Sequence, residues 1–339
     1  MTADARAVGR PRPAALADRD MLRAMPDLRT AVETTLTRCL GVREGEEVVV
    51  IVDPPKRPIG EALRDGAAEL GADAILIVID TRGANGTEPP ATVAAAMAAG
   101  DVFIAPTTKS LTHTDARRAA SEAGVRGATM PGATEEMLAR VMAIDFERMA
   151  ARSRVVSELL DRGATAHLTC ANGTDLTLNL TGRGGGADDG DLRAPGAFGN
   201  LPAGEGFVAP LDAVGRLVPS TLAGIGMAGE LPALTIADSR LVDADGAVGR
   251  RFWKLLEPYG ELGRNVAELG IGTNESATVT GNVLEDEKAL GTVHVAFGDS
   301  AGLGGTVSVP IHLDVVVTGA TLSIDGRPVL DAGRFVLDA

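Results

Sequence analysis

The sequence predicts an α/β N-terminal domain with a parallel sheet, followed by a mainly β (α+β) C-terminal domain. In the first half, short β-branched runs alternate with segments of helical spacing, which is typical of βαβ units. In the second half, alternating apolar and polar residues flank Asn172-Gly173, a strong signal for a β-hairpin. Apolar residues make up 45% of the chain, so both halves have material for a core.

The α/β prediction depends on the order of elements in the first half. Proline and glycine residues separate the segments, and no Gly-x-Gly-x-x-Gly follows the first strand, so a dinucleotide site is not supported. A long connecting helix, 137–160, is expected to join the halves, and its apolar face would pack against a partner subunit or cover the chain's own sheet. The predicted strands are 47–53, 74–80 and 101–105, and the predicted helices are 59–70, 91–99 and 114–123.

Strand patterns dominate the second half, with one helix predicted over 253–268. The glycine-rich segment 182–190 ends in Asp188 and Asp189 and is followed by Asp191. Their negative charges would repel a phosphate group, so we expect the segment to be a solvated loop. The predicted strands are 166–171, 175–180, 233–243, 292–297, 307–317 and 320–324. We therefore divide the chain into an arm (1–20), an α/β domain (21–150) and a β-rich, metal-binding catalytic domain (151–339).

Composition excludes several classes of protein. The net charge of −14 argues against a nucleic-acid surface, which needs a basic face. No apolar stretch approaches the roughly 20 residues that span a bilayer. The arm, rich in Ala, Arg and Pro, has no apolar core of a signal peptide and is expected to be disordered. Cys39 and Cys170 are far apart and predict two reduced, buried thiols in a cytoplasmic protein.

Histidines and carboxylates cluster in the last third of the chain, where two of its four histidines lie. His312 and Asp314 are separated by one residue, so on a strand both side chains project from the same face. His294 also lies on a predicted strand. Glu268 lies at the end of the predicted helix, directly before a glycine-rich segment. Glu205 lies among apolar residues, where a carboxylate needs a compensating cation, either a metal ion or an arginine. Imidazole and carboxylate together are the ligand set of zinc, manganese, cobalt or iron.

The same segments resemble the aminopeptidase T/aminopeptidase S family of metallopeptidases over most of the chain. The segments that carry the resemblance are Asn200-Leu201-Pro202-Ala203-Gly204-Glu205, the Glu268 segment, Asp286-Glu287-Lys288, Gly291-Thr292-Val293-His294 and His312-Leu313-Asp314.

The resemblance implies a hydrolase of peptide or amide bonds with two divalent metal ions, Zn, Co or Mn, in a cleft of the β-rich domain. By motif, the ligands would be Glu205, Glu268, His294, His312 and Asp314, and Glu287 would be the catalytic glutamate. The family also places a tyrosine shortly after the His294 motif. This chain lacks it, because its single tyrosine, Tyr259, precedes that motif.

Two alternatives remain open. A second branch of the superfamily resembles Fe(II) dioxygenases that open the ring of 2,5-dihydroxypyridine. In that branch a histidine takes the place of Glu268 and no residue matches Glu205, whereas His294, His312 and Asp314 would supply two imidazoles and one carboxylate. The segment Leu111-Thr112-His113 resembles one that reaches the substrate in this branch. The other alternative is a metal-binding homologue without activity.

The resemblance further implies a homodimer acting on a small molecule or short peptide, without nucleic acid or membrane partners. Lys109 and His113 follow the third predicted strand. Because ligand-facing loops lie at the carboxyl ends of parallel strands, we expect both to face the substrate, with His113 in a catalytic role.

Overall fold

A computed structural model describes residues 28–337, and the predicted arm (1–20) lies outside this range. A parallel five-stranded sheet of order β2-β1-β3-β4-β8 forms the first layer. The fifth strand comes from beyond residue 150 and aligns Asn200 with Thr129. The strands are β1 (Glu47–Val52), β2 (Asp73–Val78), β3 (Val102–Ala105), β4 (Arg126–Thr129) and β8 (Phe198–Asn200).

Helices cover both faces of this sheet, and two apolar clusters lie between sheet and helices. Their formation follows local signals: Thr114, Thr134 and Asp145 each accept a backbone hydrogen bond at a helix start. The helices are α1 (Leu28–Glu33, continuing as a π-helical turn, Thr34–Cys39), α2 (Arg57–Glu69), α3 (Ala91–Ala99), α4 (Asp115–Glu122), α5 (Glu135–Val141) and α6 (Phe146–Arg162).

Two mainly antiparallel sheets, of eight and seven strands, pack their apolar faces together in the second half. The eight-stranded sheet contains β5 (Thr165–Thr169), β6 (Asp175–Asn179), β10 (Asp212–Leu217), β13 (Leu234–Ala237), β14 (Arg240–Ala244), β18 (Thr321–Ile324), β19 (Arg327–Asp331) and β20 (Arg334–Phe335). The seven-stranded sheet contains β7 (Gly185–Asp188), β9 (Glu205–Val208), β11 (Thr221–Leu222), β12 (Gly226–Met227), β15 (Val266–Gly272), β16 (Val293–Gly298) and β17 (His312–Val317). The remaining helices are α7 (Gly246–Leu256), α8 (Gly260–Gly263) and α9 (Val283–Asp286).

This architecture confirms the predicted fold class and the Asn172-Gly173 hairpin, which pairs β5 with β6. No helix among residues 28–337 is long and apolar enough to cross a membrane. Both cysteines are free thiols, but only Cys39 is buried, and Cys170 is half-buried.

Several element predictions were wrong, each for a local reason. The helix expected over 137–160 is two helices, because Asp145 caps a new one. Their apolar residues, including Met137 and Met149, pack into the protein's own core. The helix expected over 253–268 ends at Leu256, shortly before Pro258, so Glu268 lies inside strand β15.

Two further predictions concerned extended segments. Gly185–Asp188 is an edge strand rather than a solvated loop, since it pairs with β9. The strands expected over 233–243 and 307–317 are a hairpin and a shorter strand, respectively.

Candidate metal centre

One face of the seven-stranded sheet carries all five ligand candidates on four neighbouring strands, in the order β17-β16-β15-β9. These are His312 and Asp314 on β17, His294 on β16, Glu268 on β15 and Glu205 on β9. The opposite face of β15, β16 and β17 is apolar and lies in the core, with residues such as Leu269, Val295 and Val315. Two-residue alternation thus separates the core face from the polar face, apart from a β-bulge between Val266 and Glu268 in β15.

Small residues leave room between the ligand candidates. Gly270 pairs with His294 across β15 and β16, and a Cβ at Gly270 would lie 2.1 Å from His294 Nε2. Ala296 stands between Glu268 and Asp314, pairing with each. The imidazole of His294 therefore lies directly over the glycine, in space that any side chain would occupy.

Three donors meet within 4.8 Å at each of two places, which we call the inner trio (Glu205, Glu268, His294) and the outer trio (Glu268, His312, Asp314). Glu268 belongs to both: its Oε1 lies 3.5 Å from His294 Nε2, and its Oε2 lies 3.1 Å from His312 Nε2. Among residues 28–337, no such group contains both His294 and His312.

The inner trio contains buried polar atoms that the protein leaves unsatisfied. Glu205 Oε2 lies 3.1 Å from His294 Nε2 but has no hydrogen-bond partner within the described chain, and neither has His294 Nδ1. Unpartnered buried acceptors are rare and call for an ion or water. This donor set fits a divalent metal ion with nitrogen and oxygen ligands.

The outer trio is oriented by a backbone contact. His312 Nδ1 lies 2.8 Å from the carbonyl oxygen of Asp299, so this nitrogen donates a proton to it. The other nitrogen, Nε2, then faces Glu268 Oε2 at 3.1 Å and Asp314 Oδ1 at 3.4 Å. A nitrogen lone pair and two carboxylates need a cation between them, and a backbone acceptor on the far nitrogen is the usual support of a metal-ligating histidine.

The pKa values of the residues in both trios also favour a positive charge at the site. Burial by itself lowers the pKa of His312 and of His294, but the neighbouring carboxylates outweigh it and raise both pKa values well above the ordinary value. Burial acts to raise the pKa of Glu205, yet Lys288 and His294 lower that pKa to about 2. The carboxylates are thus held ionised in a buried setting.

A buried lysine beside the inner trio was not assigned from the sequence. Lys288 Nζ donates to Glu205 Oε1 and lies 3.1 Å from Glu287 Oε1 and 3.5 Å from Asp188 Oδ2. Burial raises the pKa of Asp188 to about 7, against the opposing effect of Lys288. The sequence offered two signals for Lys288: it ends the segment Asp286-Glu287-Lys288, which carries the family resemblance, and it follows an acidic run that is usually a solvated turn.

The α/β domain contributes His113, which follows β3. Its ring stacks on that of His312 with centroids 4.9 Å apart, and its Nδ1 lies 3.1 Å from Asp299 Oδ2. Asp299 therefore contacts both histidines, one through its side chain and the other through its backbone. Sequence reasoning had not singled out Asp299. Tyr259 lies in the turn after α7, packed against the core and outside the lining of the cleft.

Two cavities open onto the centre and share the walls formed by Thr112, His113, Asn200, Glu287, His312 and Asp314. The first cavity has a volume of about 370 Å³ and is lined by Asp188, Arg117 and Phe207, among others. The second, which we call the Lys109 cavity, has a volume of about 490 Å³. Its remaining walls include Asn85, Lys109, Ser110, Asn282 and residues 222–226. Lys109 and His113 thus both face the cleft.

Comparisons with known proteins place this site in context. A family model described as NicX, 2,5-dihydroxypyridine 5,6-dioxygenase, matches residues 27–221. Among solved structures, the 2,5-dihydroxypyridine dioxygenase from Pseudomonas putida has a TM-score of 0.79 at 19% identity, covering 92% of this chain and 97% of its own. AmpT from Thermus thermophilus has a TM-score of 0.64 at 20% identity, covering 91% of this chain and 99% of its own.

No curated protein matches the sequence. The 2,5-dihydroxypyridine dioxygenase and AmpT both share the fold of this chain. Since the family model spans more than half of the chain, the protein belongs to the NicX, 2,5-dihydroxypyridine 5,6-dioxygenase, family.

Proposed function

We propose that this member of the family is an aminopeptidase-like hydrolase of peptide or amide bonds with two divalent metal ions. The observation that supports this most is the position of Glu268, whose two oxygens face different trios. One bridging carboxylate between two sets of donors is the arrangement that a two-metal site needs. The proposed iron ligands His294, His312 and Asp314 form no trio among the described residues.

The balance of buried charge supports two ions rather than one. Of the carboxylates that line the first cavity, five lie beside His294, His312 or Lys288, and Lys288 is the one lysine among the described residues that line it. Metal ligands bind in their deprotonated form, so four negative charges remain when these five carboxylates are ionised and both imidazoles are neutral. The five carboxylates are Asp188, Glu205, Glu268, Glu287 and Asp314. Burying unpaired charge is strongly unfavourable, and two divalent ions would match it. The donor set contains no cysteine, which fits Zn, Co or Mn.

When bound, such ions lower the pKa of a water molecule and polarise a carbonyl oxygen. We assign the proton transfer to Glu287, which lines both cavities and whose Oε1 lies 3.1 Å from Lys288 Nζ. Burial raises the pKa of Glu287 well above its ordinary value, although Lys288 opposes this. A carboxyl group of raised pKa can take a proton from water and pass it to a leaving amine.

The experiment combines elemental analysis with a substrate panel. Protein purified without chelator should contain about two equivalents of metal. With Zn, Co or Mn it should hydrolyse at least one of a panel of aminoacyl amides, dipeptides and small cyclic amides. Glu287→Gln should lose turnover and keep its metal, whereas the exposed Glu257→Gln should keep both. Metal below a tenth of an equivalent, with no gain in activity on adding metal, would refute the proposal.

The family match favours a second candidate, a mononuclear Fe(II) dioxygenase acting on a hydroxylated pyridine. The iron ligands of this candidate would be His294, His312 and Asp314, and His113, which stacks on His312, would face the substrate. Anaerobic reconstitution with Fe(II), followed by oxygen-uptake assays on hydroxylated pyridines, separates the two candidates. Uptake at enzymatic rates would displace the hydrolase.

The assembly is a further proposal. The resemblance implies a homodimer, but the apolar residues of α5 and α6 are used within the chain's own core. Light scattering at micromolar concentration should return twice the chain mass of 34.7 kDa. A single chain mass would contradict the dimer.

A further inference from the structure

The Lys109 cavity contains an ammonium without a partner. Among residues 28–337, Lys109 Nζ forms no hydrogen bond or salt bridge. Apart from Glu287 and Asp314, which the cavity shares with the metal-binding face, its walls carry no carboxylate. Lys109 is therefore an ammonium that lines the cavity without an ion-pair partner among the described residues.

A side-chain amide beside Lys109 also turns its donors toward the cavity. Asn85 Oδ1 accepts the backbone N–H of Ser110 at 3.0 Å. A backbone N–H can only donate, so the oxygen of the amide has to face it. The NH₂ group of Asn85 is then left for a ligand in the cavity that both residues line.

The orientation of a second side-chain amide, that of Asn200, follows from the number of hydroxyl hydrogens around it. Thr112 Oγ1 accepts from Ser110 Oγ at 2.8 Å and lies 2.8 Å from Thr129 Oγ1. Both threonine hydroxyls lie within hydrogen-bond distance of Asn200 Oδ1, at 3.1 and 2.6 Å. If the NH₂ group stood there instead, one hydroxyl hydrogen would have no acceptor among the described residues. The oxygen therefore faces the threonines, and the NH₂ group is left for the cleft, between the two cavities.

We infer that the Lys109 cavity binds a carboxylate of the substrate, with Lys109 and Asn85 as its donors and Asn200 as a donor nearer the metal-binding face. An ammonium without an ion-pair partner and two oriented amide NH₂ groups favour an anion. The inference rests on the proposed hydrolase and narrows its substrates to dipeptides and N-acyl amino acids that keep a free α-carboxylate on the leaving amine. A volume of about 490 Å³ accommodates one or two residues.

The test compares two substrates that differ only in this group, leucylglycine and leucylglycinamide. The wild-type protein should prefer the free acid in kcat/KM by about ten- to a hundredfold, the usual effect of hydrogen bonds to a charged group. Lys109→Met should reduce that ratio to near one, and Lys109→Arg should retain part of it. Lys254→Met, which removes an exposed lysine remote from both cavities, should leave the ratio unchanged.

Calorimetric titration with N-acetylglycine and N-acetylglycinamide measures the affinity for the carboxylate directly and does not depend on hydrolysis. If neither peptide is hydrolysed but N-acetylglycine binds in a Lys109-dependent way, the hydrolase proposal fails and the carboxylate site stands. If the wild-type protein hydrolyses both peptides equally, or binds both acetyl compounds equally, the carboxylate site is refuted. A preference for the acid that survives in Lys109→Met would refute it as well.

Discussion

Replacing Gly270 by alanine should remove one metal ion and leave the other. The new Cβ would lie 2.1 Å from His294 Nε2 and 2.2 Å from its Cε1. Comfortable contacts between such atoms are about 3.5 Å, so the imidazole has to move by more than about 1 Å. Metal–ligand distances tolerate only about 0.2 Å, so His294 would cease to be a ligand of the inner trio. The three atoms nearest the new Cβ all belong to His294, so the outer trio should keep its ion.

Elemental analysis of Gly270→Ala should therefore show about one equivalent of metal where the wild-type protein binds about two. Displacing a packed ring should also lower the free energy of unfolding by about 1–3 kcal/mol. Gly127→Ala is the matched control, because its Cβ would lie equally close, 2.1 Å, to the ring of Phe103 in the parallel sheet. It should lose similar stability but keep its full metal content. Wild-type stoichiometry and affinity in Gly270→Ala would refute the assignment of His294.

Further substitutions test the same site, and a thiol reagent tests the packing around α1. Glu268→Gln should weaken the binding of both ions, since it is the residue shared by the trios, whereas Glu287→Gln should lower kcat with metal content unchanged; equal metal loss in both would contradict their separate roles. Lys288→Met should destabilise the protein by about 3–5 kcal/mol in chemical denaturation, because it leaves buried carboxylates uncompensated; a loss below about 1 kcal/mol would show that they are not held by this lysine. Burial raises the pKa of the Cys39 thiol, so a thiol reagent at neutral pH should modify only Cys170 in the native protein and both cysteines after unfolding. Two fast-reacting thiols in the native state would contradict the packing around α1.

The local pattern of residues in the sequence was sufficient to predict much of the site. Alternation along β17 places His312 and Asp314 on one face whatever the strand pairs with, because side chains of a strand repeat every two residues. The β-branched runs and the Asn172-Gly173 turn likewise predicted strands and a hairpin from local sequence, and the structure has them. The residue types of the ligand set, imidazole and carboxylate without cysteine, were equally visible in the sequence.

The grouping of those residues depends on strand order, which local pattern does not contain. Glu205 and His294 meet because β15 separates their strands by one position, although 88 residues separate them in the chain. Glu268 was expected at a helix end, and only its pairing with β16 and β9 shows it to be a strand residue shared by both trios. Lys288 looked like part of a solvated acidic turn, yet the fold buries it among three carboxylates. Sequence thus determined which chemical groups the protein offers, and the tertiary structure decided which of them face one another, because neighbours across a sheet are set by long-range packing.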